Sequence, residues 1–100
     1  MKEKVDPYSL IGNVMAILRK WDPIGVYRMH ATEGWPPDEY DGYAPVIFAI
    51  LMSGTNIELL ANHLEMLRTK TIGMGPNRYW DEAIAQELIA WWEPHRDDAV

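Results

Sequence analysis

Apolar residues recur at helical spacing in four segments of this 100-residue chain, and glycine or proline separates the segments. The first segment follows Asp6-Pro7, which offers an N-cap and a proline at the first helical position. It ends at Trp21, because a residue that precedes Asp22-Pro23 is driven away from helical angles. Its inner stripe consists of Leu10, Val14, Ile17, Leu18 and Trp21.

The second segment predicts a helix that begins near Gly42, or at Asp38 with a bend, because Pro45 is tolerated only in a first turn or at a kink. Gly54 is expected to end it in a left-handed conformation. Its inner stripe is predicted to be Tyr43, Ile47, Ile50 and Leu51.

A capping box, Thr55 to Glu58, predicts the start of the third helix, and Gly73 predicts its end. Asn77 is the expected N-cap of the fourth helix, and Pro94 its expected end. The stripes of these helices are Ile57, Leu60, Leu64 and Leu67, and then Ile84, Leu88 and Trp91.

These segments predict an all-α fold, a compact bundle of about four short antiparallel helices in one domain spanning residues 1–100. A long loop, residues 22–37, separates the first helix from the second, and residues 1–5 and 95–100 are expected to fray. With 0 cysteines, no transmembrane-length apolar run and no apolar segment after Met1-Lys2-Glu3-Lys4, the sequence favours a cytoplasmic protein that binds no membrane.

Negative charge is concentrated in the middle of the chain. Between Arg28 and Arg68 there are six carboxylates and no lysine or arginine. This segment therefore carries a charge of −6, which is the net charge of the whole chain. Such a surface favours a basic protein partner and opposes nucleic acid. The basic residues 68–78 are interpreted as a solvated connection between helices.

We therefore predict a partner-binding surface around the acidic run and its aromatic neighbours. It comprises Asp22, Glu33, Trp35, Asp38, Glu39, Tyr40, Asp41 and Tyr43. A simpler interpretation is that some of these acidic residues cap helices. A third interpretation is that they bind a divalent cation, although the spacing of the acidic residues does not match a calcium-binding loop. No catalytic residue, metal ligand set or cofactor site is predicted, because neither the three histidines nor the serines have a suitable sequence context.

The segment Trp21-Asp22-Pro23-Ile24-Gly25 is a constrained turn in which every residue has a structural role. Together with Asp38-Glu39-Tyr40-Asp41 it resembles a family of small bacterial proteins of unknown function, which pairs a WDPIG turn with a downstream DEY(D) segment. The resemblance implies a small helical protein and carries no activity. It also flags residues 21–25 and 38–43 as a joint feature. On physical grounds we expect the two segments to pack together, with Tyr40 or Tyr43 closing over the Trp21 turn.

The leading functional hypothesis is a non-enzymatic interaction module that engages a basic protein, as a toxin-neutralising, immunity-like or regulatory partner does. One alternative is a small divalent-metal-dependent enzyme that uses the acidic loop. Another is a structural, self-associating protein with Trp92 as the oligomer contact, because adjacent Trp91 and Trp92 point about 100° apart on a helix and one buried face rarely covers both.

Overall fold

The computed structural model of this chain describes residues 7–23 and 40–98, and these residues form an all-α bundle. Within them there are four α-helices and no strand, as predicted. The helices are α1 (Pro7–Trp21), α2 (Ala44–Ser53), α3 (Ile57–Met66) and α4 (Arg78–Trp92).

Helix α1 begins at Pro7 and ends at Trp21, as the positions of Pro7 and Pro23 predict. Arg19 and Lys20 lie in its last turn, where cations favour the negative end of the helix dipole. Asp22 then takes a φ of +40°, a left-handed conformation that aspartate tolerates better than most residues. The chain therefore leaves α1 sharply at Asp22.

Helix α2 is preceded by a single 3-10 turn, Asp41–Tyr43, and Pro45 falls in its first turn, so the later of the two predicted starts is confirmed. Gly54 ends the helix, as expected, but not in the left-handed helical region. Its φ of 154° and ψ of 146° lie in a region that is open essentially only to glycine.

The N-cap of α3 is Asn56, whose side chain accepts a hydrogen bond from the Leu59 amide. The predicted capping box at Thr55 is therefore wrong by one residue, because the adjacent asparagine is at least as good a cap. After Met66 the helix widens into a π-turn, Leu67–Thr71. Gly73, with a φ of +85°, ends the helical stretch.

Asn77 caps α4 as predicted, and its side chain accepts a hydrogen bond from the Trp80 amide. Beyond Trp92 the chain continues as a 3-10 helix, Glu93–Asp98, so residues 95–98 are helical and the predicted fraying from His95 is wrong for them. The His95 ring packs on Trp91 with ring centroids 5.2 Å apart. The predicted fraying of residues 1–5, 99 and 100 lies outside the described residues.

Helix α4 packs against both α3 and α1, and α1 packs in turn against α2. The inner stripes enclose one core, to which every helix contributes. Two positions differ from the predicted stripes: Ile57 is 38% exposed at the start of α3, and Trp92 is buried in the place expected for Trp91. None of the described helices has the length and apolar character needed to cross a membrane.

Candidate functional site

A buried ion pair lies where the π-turn meets the first turns of α4. Arg68 is on the π-turn and Asp81 is on α4, and their side chains are 6% and 0% exposed. The Arg68 Nη2 and Nε atoms donate to Asp81 Oδ1 over 2.8 and 3.0 Å. Nε also lies 3.3 Å from Oδ2. Such a pair is expensive to desolvate, so its hydrogen bonds must be nearly complete for the fold to hold it.

Trp21 joins this ion pair to the end of α1. Its Nε1 donates to Asp81 Oδ1 over 2.8 Å, and the Arg68 guanidinium lies 5.7 Å from the centre of the indole ring, within cation–π range. The Trp80 Nε1 donates to the Trp21 carbonyl over 2.7 Å. The last residue of α1 is thereby fixed to α4 by two hydrogen bonds.

Tyr40 closes over the turn at Asp22. The sequence predicted that either Tyr40 or Tyr43 would do so. The Tyr40 hydroxyl donates to Asp22 Oδ1 over 2.7 Å, and its ring meets the Trp21 ring edge-on at 5.8 Å. Both side chains are buried. We call the set Trp21, Asp22, Tyr40, Arg68 and Asp81 the buried polar network.

The acidic partner surface predicted from the sequence is not displayed by the residues that the structure describes. Asp22 and Tyr40 are 2% and 1% exposed and hydrogen-bonded to each other, so their assignment as partner contacts is corrected. The Asp41 side chain is 15% exposed and its Oδ2 lies 2.8 Å from Arg19 Nη2, so its charge is compensated within the chain.

Of the predicted partner residues, Tyr43 is half-buried against the core. The remaining predicted contacts, Glu33, Trp35, Asp38 and Glu39, lie outside the described residues, as do Ile24 and Gly25 of the constrained turn.

Trp92 is a core residue and not the predicted oligomer contact. It is 2% exposed, and its ring meets Phe48 of α2 edge-on at 5.3 Å. Its Nε1 finds no hydrogen-bond acceptor among the described residues, which marks the site as apolar. Trp91 is the half-buried member of the pair.

An open groove of about 260 Å³ runs between α3 and α4, on residues for which the sequence analysis predicts no binding site. Ile57 and Ala61 supply its apolar lining, and Glu58, Arg78 and Glu82 its polar lining. Its volume is below the roughly 300–1,000 Å³ of pockets that enclose small molecules. The groove is therefore suited to single side chains of a larger partner.

Arg78 is held in place on the wall of this groove. Its Nη1 lies 2.6 Å from Asn62 Oδ1 and 3.7 Å from Glu65 Oε1, and its Nε lies 3.4 Å from Glu82 Oε1. Glu58 is exposed and forms no ion pair with a described residue. Two carboxylates, those of Glu65 and Glu82, thus lie within 4 Å of the Arg78 guanidinium. With Glu58 and Glu82 against Arg78 in its lining, the groove is net negative.

Tyr79 stands beside the groove with 86% of its surface exposed, and it lines a second shallow depression with Glu82, Ala83 and Gln86. No interaction in the described part of the chain explains so exposed a ring. Aromatic residues next to a groove are common anchors for protein partners.

The described residues bring no three acidic or histidine side chains together in a way that would hold a metal ion. His63, on α3, is half-buried at the edge of the core, as expected, and burial lowers the pKa of its imidazole.

Comparison with known proteins adds no relative: no protein-family model matches the chain, and no curated protein or solved structure matches it. The resemblance to the small bacterial family with the WDPIG turn therefore stays a prediction.

Proposed function

We propose that this chain is a small protein-interaction module and that its α3–α4 groove binds a basic segment of a partner protein. The observation that carries the proposal is the exposed Tyr79 ring beside a net negative groove that combines the apolar Ile57 with Glu58 and Glu82. The proposed partner is still a basic protein, as the net charge of −6 favours. The proposed binding surface, however, lies on α3 and α4 and not on the acidic loop.

The chemistry of the groove defines the segment that fits it. An arginine or lysine reaches Glu58, whose carboxylate has no competing ion pair in the described part of the chain. An adjacent apolar side chain covers Ile57, which is 38% exposed, and a planar or long side chain stacks on Tyr79. A toxin-neutralising or regulatory role in the cytoplasm is the wider setting that we propose for this contact.

A titration of isotope-labelled protein with synthetic peptides tests the proposal. The peptides share one apolar pattern and differ only in carrying arginine and lysine or, as the control, glutamate. We expect the basic peptides to shift the amide resonances of residues 57–61 and 78–82, with an affinity that falls as salt rises. Equal binding of the acidic peptides would contradict the proposed charge selection.

Three variants then locate the contact. Tyr79→Ala is expected to weaken binding about tenfold or more, as loss of an aromatic anchor does. Glu58→Gln is expected to weaken it several-fold, whereas Glu93→Gln removes the same charge from a carboxylate that is paired with Arg96 outside the groove. If Glu58→Gln and Glu93→Gln weaken binding equally, only net charge matters and the groove is not the site.

A further inference from the structure

We propose that Arg78 is an internal competitor of the partner, because its guanidinium occupies a site that an arginine of the partner takes over on binding. The inference rests on the proposed function of the α3–α4 groove and names the side chain that the groove selects. The site consists of Asn62 and Glu65 on α3 and Glu82 on α4. We call these three residues the guanidinium site.

The guanidinium site already binds the kind of group that the partner would offer. Arg78 Nη1 donates to Asn62 Oδ1 over 2.6 Å and lies 3.7 Å from Glu65 Oε1. Arg78 Nε donates to Glu82 Oε1 over 3.4 Å. Two nitrogens of one planar group are thus used, whereas a lysine offers a single nitrogen that cannot take both positions at once. The site therefore selects arginine over lysine.

The contacts of Arg78 are ones that a partner can replace. Its side chain is 36% exposed, and those of Glu65 and Glu82 are 41% and 47% exposed. Ion pairs between such exposed groups are weak, because water competes for both charges. Arg68 is the contrasting case, since its side chain is buried against Asp81 and its departure would strand that carboxylate. Arg78 is therefore free to exchange with another arginine, and Arg68 is not.

The stability of α4 does not explain an arginine at this position. Arg78 is the first residue of α4, directly after the N-cap Asn77. A cation there lies at the positive end of the helix dipole, where a carboxylate is favoured. In its ion pair with Glu82 the cation precedes the anion by four residues, which is the less stabilising order on a helix. The effect of Arg78 falls instead on the groove, whose wall it forms.

Competition by Arg78 predicts the direction in which its replacement changes binding. The groove lining carries two carboxylates, Glu58 and Glu82, and one guanidinium, so loss of the Arg78 charge makes the groove more negative. A partner arginine would then enter the guanidinium site without displacing a resident group. Replacement of Arg78 should therefore strengthen binding, whereas replacement of a residue that only supports the groove would weaken it.

Calorimetric titration with two peptides measures this change. The peptides share one apolar pattern and carry two basic residues, which are both arginine or both lysine. Arg78→Gln is expected to raise the affinity for the arginine peptide about threefold to tenfold, and to raise it less for the lysine peptide. Arg96→Gln is the matched control, because it removes the same charge from an arginine that is paired with Glu93 outside the groove. Equal gains in the two variants would overturn the proposal, since net charge alone would then account for them.

Asn62→Ala tests the guanidinium site without a change of charge. Asn62 is exposed on α3, and its side-chain oxygen is the nearest acceptor of Arg78. In the double variant Arg78→Gln with Asn62→Ala, a partner arginine loses this acceptor, so the preference for the arginine peptide should fall several-fold relative to Arg78→Gln. A preference that Asn62→Ala leaves unchanged would show that the partner arginine binds elsewhere.

Displacement can also be observed directly in the unchanged chain, which needs no variant to fold. At saturation with the arginine peptide, the Nε–H resonance of Arg78 should shift as its bond to Glu82 is released. The Nε–H resonance of Arg19, which donates to Asp41 outside the groove, should not shift. A groove that binds the arginine peptide without moving the Arg78 resonance overturns this inference and leaves the proposed function standing. If no basic peptide binds the unchanged chain or Arg78→Gln, both fail.

Discussion

Removing one member of the Arg68–Asp81 pair is predicted to be among the most destabilising changes available in this chain. Arg68→Met leaves a carboxylate with 0% side-chain exposure, and the Trp21 indole is then its one remaining donor among the contacts described above. Asp81→Asn leaves the guanidinium, whose side chain is 6% exposed, without a counter-charge.

Breaking a buried pair in this way costs about 3–5 kcal/mol. Small domains have a total stability of about 5–15 kcal/mol, so each single variant is expected to lose a large share of it. The corresponding fall in melting temperature is on the order of 12–40 °C for a chain of this size. Lys20→Met is the control, because it breaks an exposed pair with Glu87 and should cost at most about 1 kcal/mol.

Denaturant unfolding followed by circular dichroism measures these free energies. The double variant Arg68→Met with Asp81→Asn leaves neither charge of the pair buried and keeps an amide oxygen for Trp21. It should therefore be more stable than the sum of the single effects predicts, by about 2 kcal/mol or more. Single variants that each cost under about 1 kcal/mol, or a double variant that is additive, would refute the view that Arg68 and Asp81 compensate each other in the interior.

Two further changes test other parts of the structure. Tyr40→Phe removes one hydrogen bond to the buried Asp22 carboxylate and should cost about 1–3 kcal/mol in the same unfolding assay. Tyr43→Phe should cost less, and equal losses would argue against the Tyr40–Asp22 bond. His63→Gln should flatten the pH dependence of stability. Because burial lowers the pKa of His63, the unfolded chain takes up the proton first, so stability is greatest above about pH 6.5 and falls as the pH drops through the interval between the two pKa values. A His63→Gln profile identical to that of the unchanged chain between pH 7.5 and 5.5 would contradict this.

The positions of the helices could be predicted because their signals are local. Pro7, Asn77, Gly54 after α2 and Gly73 after the π-turn each act within one turn of the helical stretch that they begin or end. Errors arose where two neighbours compete for one role. Asn56 and Thr55 are both good caps, and the structure uses Asn56, which has the stronger intrinsic preference for this position.

The buried polar network could be predicted only in part. Closure of the Trp21 turn by Tyr40 or Tyr43 was predicted, and Tyr40 is the residue that closes it. Arg68, however, was interpreted as part of a solvated connection, and Asp81 was not predicted to be its partner. A signal for both was present in the spacing. Arg68 continues the stripe of Leu60 and Leu64 at four-residue steps, and Asp81 lies three and seven residues before the buried Ile84 and Leu88.

The groove and the exposed side of α2 could not be predicted from spacing, because both depend on which apolar residues the packing leaves uncovered. Ile57 continues the stripe of Leu60 and Leu64 but lies at the very start of α3, where the core no longer covers it. Val46 and Met52 are as apolar as their buried neighbours in α2. Their exposure follows from the limited number of helices available to cover them.

The bond between the Trp21 indole and Asp81 joins residues 60 positions apart, and this separation has a consequence for the order of folding. The α3–α4 hairpin closes over a short loop and can form early, whereas α1 has its anchor only once Asp81 is in place. We therefore expect α1 to dock late, and a nascent chain released before residue 81 to expose the apolar stripe of its first helix to chaperones and proteases.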